Sequence, residues 1–163
     1  MTLLEDVGFY EGGYFNVFIQ IFLNLCKQII MTSEVVYQAN LRTLCTHKKS
    51  NSQIETDAPT DNNGKGMRFS PTDMVATALS ACMITVMGIK AEQSGIPFSM
   101  IHSSVQKIMA ANPRRIDAIV VELYIGESWT PEQRKIMEQT AKTCPVARSL
   151  SQELRQEIKF IYK

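Results

Sequence analysis

The chain contains no C-x-x-C pair, only two histidines, and no histidine at metal-ligand spacing from a cysteine. A structural zinc site is therefore not expected among its four cysteines, Cys26, Cys45, Cys82 and Cys144. Excess charge of either sign is also missing. Seventeen Lys and Arg stand against 16 Asp and Glu, for a net charge of +1. That balance offers no electrostatic footprint for nucleic acid or an anionic membrane surface. The basic run His47-Lys48-Lys49 is short enough to be a solvated turn. A secretory signal is not recognisable, because Glu5, Asp6 and Glu11 make the first residues acidic and no A-x-A cleavage pattern follows. Without one, a disulfide framework is not expected, and a reducing, cytoplasmic compartment is.

What is present fits one domain. The 163 residues are 45% hydrophobic and 20% charged, ordinary values for a globular chain of a size that buries its own core. No repeat or linker divides it. Residues 1–30 stand apart from the rest. Between Tyr14 and Ile30 the residues Asn16, Gln20, Asn24 and Lys27 lay a polar stripe along an otherwise apolar helix. The apolar run is too interrupted for a stable membrane span, which needs about 20 mostly apolar residues. Three readings stay open for it: an amphipathic helix packed on the body, a membrane-surface helix, or an extension ahead of a start at Met31. The domain proper is expected over 31–163.

Within that domain, Glu34 to His47 reads as a strand in which Val35, Tyr37, Ala39 and Leu41 alternate with more polar neighbours. A turn at 48–52 leads to a short returning strand at 53–56, and residues 57–66 form a loop rich in Asp, Asn, Gly and Pro. A long helix follows from about Pro71 to Gln93. Ser70 is its N-cap, Pro71 suits the first helical position, and Asp73 completes a capping box. Val75, Ala78, Leu79, Cys82, Val86 and Ile89 recur at helical period as an apolar face, and the helix is expected to be largely buried. Strands are predicted over 99–110 and 116–125, with Ile119, Val121, Leu123 and Ile125 on one face. A capped helix from Thr130 to Lys142, a break at Thr143-Cys144-Pro145 opening a short helix, and a last strand over 157–162 complete the order. This is an α+β arrangement, not a βαβ repeat.

Two cysteines stand out. Pro145 at a first helical position makes Cys144 an N-cap at the positive end of a helix dipole, a setting that favours thiolate. Cys82 lies mid-helix on an apolar face, where a cysteine commonly serves as packing. Sequence spacing alone does not bring the two together.

The run Phe69 to Met83 (FSPTDMVATALSACM) resembles the central-helix motif of the OsmC/Ohr family, and Ala141 to Leu150 (AKTCPVARSL) resembles that family's second cysteine motif. The resemblance covers roughly residues 34–163. It implies antiparallel sheets around a long buried central helix in an intertwined homodimer, with active sites at the subunit interface. It further implies that Cys82 is a peroxidatic nucleophile toward small hydrophobic organic hydroperoxides. Cys144 would then resolve the sulfenic acid as a disulfide, and a dithiol of lipoyl type would restore the enzyme, with no cofactor or metal. One position departs from the pattern. Where the family's peroxidases carry a Glu that pairs with an Arg beside the reactive Cys, this chain has Thr72. Asp73 is next along, rotated by about a hundred degrees on a helix of 3.6 residues per turn. Arg42 and Arg68 are candidates for the arginine. The alternative is a non-peroxidatic OsmC-like protein that binds a small hydrophobic ligand or senses redox state.

Overall fold

The computed structural model describes residues 31–99 and 101–163; the question posed by residues 1–30 lies outside them. The first sheet is a three-stranded antiparallel meander of β1 (Ser33–Tyr37), β2 (Arg42–His47) and β3 (Gln53–Asp57). The single strand expected over 34–47 is thus two strands. Their alternating apolar pattern runs through a turn with no Gly or Pro to mark it. At that turn Ala39, Asn40 and Leu41 take left-handed φ values of 67°, 51° and 60°, each costing a non-glycine residue about 1 kcal/mol or more. Four hydrogen bonds hold the conformation, one of them from Arg42 N–H to the Ala39 carbonyl (3.0 Å). Leu41 N–H donates to the Tyr37 hydroxyl (3.2 Å), Gln38 N–H to the Arg42 carbonyl (2.9 Å), and Ala58 N–H to the Leu41 carbonyl (3.0 Å).

Helix α1 (Pro71–Ser94) begins as its residues dictate. Ser70 Oγ accepts from Asp73 N–H at 3.1 Å, and the Asp73 carboxylate accepts from Ser70 N–H at 2.8 Å. The left-handed Gly95 ends it, donating to the Ala91 carbonyl. Its core face differs from the expected one. Ala76, Leu79, Ser80, Met83, Met87 and Ala91 are buried, whereas Val75, Ala78 and Ile89 are exposed and Cys82 and Val86 half-buried. The helix is apolar on every side, so periodicity alone does not choose which stripe meets the sheet. Among the described residues it is the one helix long and apolar enough to cross a membrane. Its packing on the second sheet and the Ser80 Oγ–Ser103 Oγ hydrogen bond (2.7 Å) are those of a core helix.

The second sheet has the order β4 (Ile101–Ala111), β5 (Arg114–Ile125), β6 (Arg155–Tyr162). A two-residue turn with a cis Asn112–Pro113 bond joins β4 to β5. β6 pairs with β5 in parallel, because the chain crosses over through α2 (Pro131–Lys142) and α3 (Pro145–Ser149) before returning. The fold is accordingly α+β with antiparallel sheets, one parallel pair and a long central helix. Ile119, Val121, Leu123 and Ile125 on β5 are fully buried against α1 and the α2 residues Met137 and Ala141, as the alternation predicts. Trp129 closes one end, its indole N–H donating to the Pro97 carbonyl at 2.7 Å.

Candidate functional site

The helix-rich layer brings together what the sequence could not. Cys82, at the start of the fourth turn of α1, and Cys144, the N-cap of α3, are neighbours across the packing of the two helices. Both are free thiols. They differ in access. Cys144 is 1% exposed, enclosed by the core that includes Met83, Ala141 and Ala147. Cys82 is half-buried at the border between that core and the open stripe of Ala78 and Ile89.

Cys144 caps α3 as Pro145 predicts, its Sγ accepting the Ala147 N–H at 3.4 Å. The expected lowering of its pKa does not follow. Burial is the largest influence and pushes the thiol above its ordinary value, against the Ala147 and Val146 amides that favour thiolate. The neighbouring Cys82 adds to the rise. Cys144 is therefore held in its protonated form.

The charged candidates are engaged elsewhere within the chain. Arg42 lies directly opposite Asp57 across the β2–β3 ladder and donates to its two carboxylate oxygens from Nε and Nη2, at 2.7 and 2.9 Å. The Asp57 carboxyl is buried, accepts also from Met67 N–H (3.1 Å), and is held below its usual range by Arg42 first. Arg42 lines a cavity with Gln38, Asn40 and Lys65 that does not include Cys82. Arg68 pairs with Glu55 at 2.9 Å. Asp73 caps α1 and binds the Lys107 ammonium at 2.7 Å. Burial pushes its carboxyl upward, but Lys107 and Ser70 together more than offset that, leaving it below the ordinary value. Nine residues at 1.5 Å and 100° each put Asp73 roughly 13 Å along α1 from Cys82 and on the opposite side of the helix. Within the chain Cys82 thus lies beside Cys144, and Arg42 and Asp73 lie away from both.

Lys107 was not among the expected residues. It is the inward-facing member of the alternating β4 series Ile101, Ser103, Val105, Lys107 and is 17% exposed. Besides Asp73 it donates to Ser70 Oγ (2.8 Å) and Thr72 Oγ1 (2.7 Å), so all three ammonium protons are used. A lysine on the inner face of an otherwise apolar strand is the signal that could have found it. The hydroxyl of Thr72, at the position that departs from the family motif, is likewise committed. Beside this cluster lies a cavity of about 500 Å³, lined by Met67, Arg68, Phe69, Asp73, Val105 and Lys107 among others.

Comparison with known proteins agrees with the fold. The family model described as OsmC-like protein matches residues 64–159. Among solved structures, a candidate osmotic stress induced and detoxification response protein from Psychrobacter arcticus is 43% identical. The alignment covers 82% of this chain and 97% of that one, with a TM-score of 0.78. An OsmC like protein from Mycoplasma pneumoniae is 16% identical over 80% of this chain and 94% of its own, with a TM-score of 0.68. An organic hydroperoxide resistance protein from Legionella pneumophila is 12% identical over 81% and 98%, with a TM-score of 0.66. No curated protein sequence matches the chain.

Proposed function

This chain belongs to the OsmC-like protein family, and from that premise we propose that it is a thiol-dependent peroxidase for organic hydroperoxides. The placing of Cys82 beside Cys144 at the edge of one core carries the reading. In the proposed reaction the Cys82 thiolate attacks the terminal peroxide oxygen. The O–O bond breaks, the departing alkoxide takes a proton as the alcohol, and Cys82 becomes a sulfenic acid. The Cys144 sulfur then attacks Cys82, water leaves, and a disulfide remains. A dithiol of lipoyl type restores both thiols by exchange, becoming a cyclic disulfide. A buried thiol held above its ordinary pKa is a poor first nucleophile, so Cys144 serves as the second thiol, next to Cys82. The apolar border of Cys82, with Val86 beside it, suits a hydrophobic peroxide. This work is expected in the cytoplasm, with no metal or cofactor.

The same reading includes a homodimer. Val35, Val36 and Tyr37 on β1 and Ile89 on α1 are between 50% and 63% exposed in the single chain, an apolar extent that a soluble subunit ordinarily covers. A second reading has a specific observation in its favour. Thr72 stands where the family's peroxidases carry Glu, and Arg42 is tied to Asp57, so the arginine that would activate Cys82 is unassigned. On that reading the protein binds a small hydrophobic ligand and the cysteines sense redox state. Turnover of cumene hydroperoxide with dihydrolipoamide separates the two. The peroxidase reading expects activity in the wild type and its loss in Cys82→Ser; a wild type without turnover decides for the ligand-binding reading.

A further inference from the structure

We propose that the pocket between the 38–41 turn and the 58–66 loop binds the carboxylate of a small organic acid, held by Arg42 and Lys65. The site stands apart from the cysteines and from the peroxidase reading.

The pocket has a volume of about 340 Å³ and is lined by Gln38, Ala39, Asn40, Arg42 and Lys65, which places it at the small end of the range for ligand sites. None of the five is among the β1 and α1 residues that the proposed homodimer covers. With no large apolar side chain in its lining, the pocket suits a polar ligand.

Both of its walls are fixed by the chain itself. On one side Ala39, Asn40 and Leu41 are held in the left-handed region. Such strain persists where the surroundings over-determine the backbone, and it gathers at ligand clamps. On the other side Lys65 stands between two glycines that the loop cannot exchange. A Cβ on Gly64 would collide with the Ala58 carbonyl oxygen, and Gly66 takes a φ of +59°. Gly64 N–H donates to the Pro59 carbonyl at 3.0 Å and Gly66 N–H to the Ala58 carbonyl at 3.2 Å. Ala58 N–H in turn donates to the Leu41 carbonyl at 3.0 Å, so one residue ties the loop to the turn.

The charges in this region do not cancel. Arg42 and Asp57 neutralise each other, and so do Arg68 and Glu55. Lys65 makes no hydrogen bond or ion pair among the described residues, and its positive charge is left over. The Asp57 carboxylate takes Nε and Nη2 of Arg42, which sets the plane of the guanidinium. Nη1 has no acceptor among the described residues. A carboxylate carries the single negative charge that Lys65 lacks, and its two coplanar oxygens match the planar fork of an arginine. The side-chain amides of Gln38 and Asn40 add polar partners for a substituent such as a hydroxyl.

The test is a titration of the whole protein with sodium lactate, followed by nitrogen–proton NMR and compared with sodium chloride at equal ionic strength. The account expects saturable shifts at the Ala39, Asn40 and Lys65 amides and at the Arg42 Nε–H, with no such shifts from chloride. Lys65→Gln should weaken lactate by about tenfold, the effect of losing one charge-assisted hydrogen bond. Lys49→Gln removes an exposed lysine from the turn at the other end of β2 and should leave the affinity unchanged. Because Arg42 cannot be removed alone without stranding a buried carboxylate, it is replaced together with its partner, as Arg42→Gln with Asp57→Asn. That variant should lose the shifts as well, and Lys65→Gln alone decides the matter if it does not fold. Wild type without saturable shifts at these groups overturns the proposal, as does an equal loss in Lys49→Gln and Lys65→Gln. Inorganic phosphate binding more tightly than lactate at equal ionic strength overturns the assignment to a carboxylate.

Discussion

The two sheets of this chain are built on different physics. The β4–β6 sheet buries Ile119, Val121, Leu123 and Ile125 completely under α1 and α2. The β1–β3 sheet has no comparable core: every residue of β1 is exposed, and the buried members of β3 are Thr56 and Asp57. It is held instead by polar clamps. Arg42 grips Asp57, Thr43 Oγ1 meets Thr56 Oγ1 at 2.6 Å, and Arg68 reaches Glu55. The cysteine pair belongs to the first kind of region and the arginines to the second. Hydrophobic burial fixes side chains to within the width of a methyl group, which is what two sulfurs need if they are to bond. The exposed apolar face of β1 is the part of this sheet that the proposed homodimer would cover.

The largest effect should come from breaking the well-packed side. Leu123→Ala removes a fully buried side chain from the centre of β5 and should cost about 2–5 kcal/mol, read as a lowered midpoint in denaturant melts. A loss under about 1 kcal/mol would mean that the core relaxes around the gap. On the clamped side, Asp57→Asn should loosen β2, β3 and the loop through Met67, raising amide exchange there while β5 and α1 stay protected. Exchange rising equally in both sheets would show that they unfold as one unit. Ser70→Ala removes the α1 cap that joins the two regions and should cost about 1 kcal/mol, with Lys107 and Asp73 left to bind each other.

A smaller, pH-dependent effect should accompany it. The folded Asp73 carboxyl sits below its ordinary value of 3.8. Its contribution is therefore complete above that unfolded value and is lost as pH falls below it toward the folded one. Asp73→Asn should flatten stability against pH in that acid range and leave the profile near neutrality parallel to wild type. An unchanged acid limb would show that the Lys107 pair contributes nothing. The smallest effect on the fold itself is expected from Val35→Ser, on a strand with no cover in the single chain, at about 0.5 kcal/mol or less for an isolated subunit. In sedimentation the same change should shift the protein toward monomer, and an unaltered dimer would place the interface elsewhere.

Much of the fold was legible because local chemistry and final structure agree. Ser70, Pro71 and Asp73 open α1 just as a capping box requires, and Pro145 makes Cys144 an N-cap. The alternation on β5 named its buried face correctly because Glu122 and Tyr124 mark the opposite face as the more polar one. On α1 the same reasoning picked the wrong stripe: a helix apolar all round gives periodicity nothing to discriminate. The break between β1 and β2 was hidden because residues 39–41 turn the chain without glycine, held by contacts with Tyr37 and Ala58 that the local sequence does not announce. The pKa of Cys144 was misjudged for a related reason. Its position at a helix start is local and readable, whereas the burial that outweighs it is assembled from α1, α2 and β5. That Arg42 faces Asp57 depends on strand register, and that Lys107 meets Thr72 depends on how β4 packs on the helix; neither is set by spacing along the chain.

Whether Cys82 and Cys144 form one redox couple is read from the intact mass after a single equivalent of cumene hydroperoxide without reductant. The account predicts that wild type loses two hydrogens as the Cys82–Cys144 disulfide. Cys144→Ser should gain one oxygen on Cys82, and Cys82→Ser should stay unchanged at Cys144. An unchanged wild-type mass, or oxygen found on Cys144 while Cys82 remains a thiol, would contradict it.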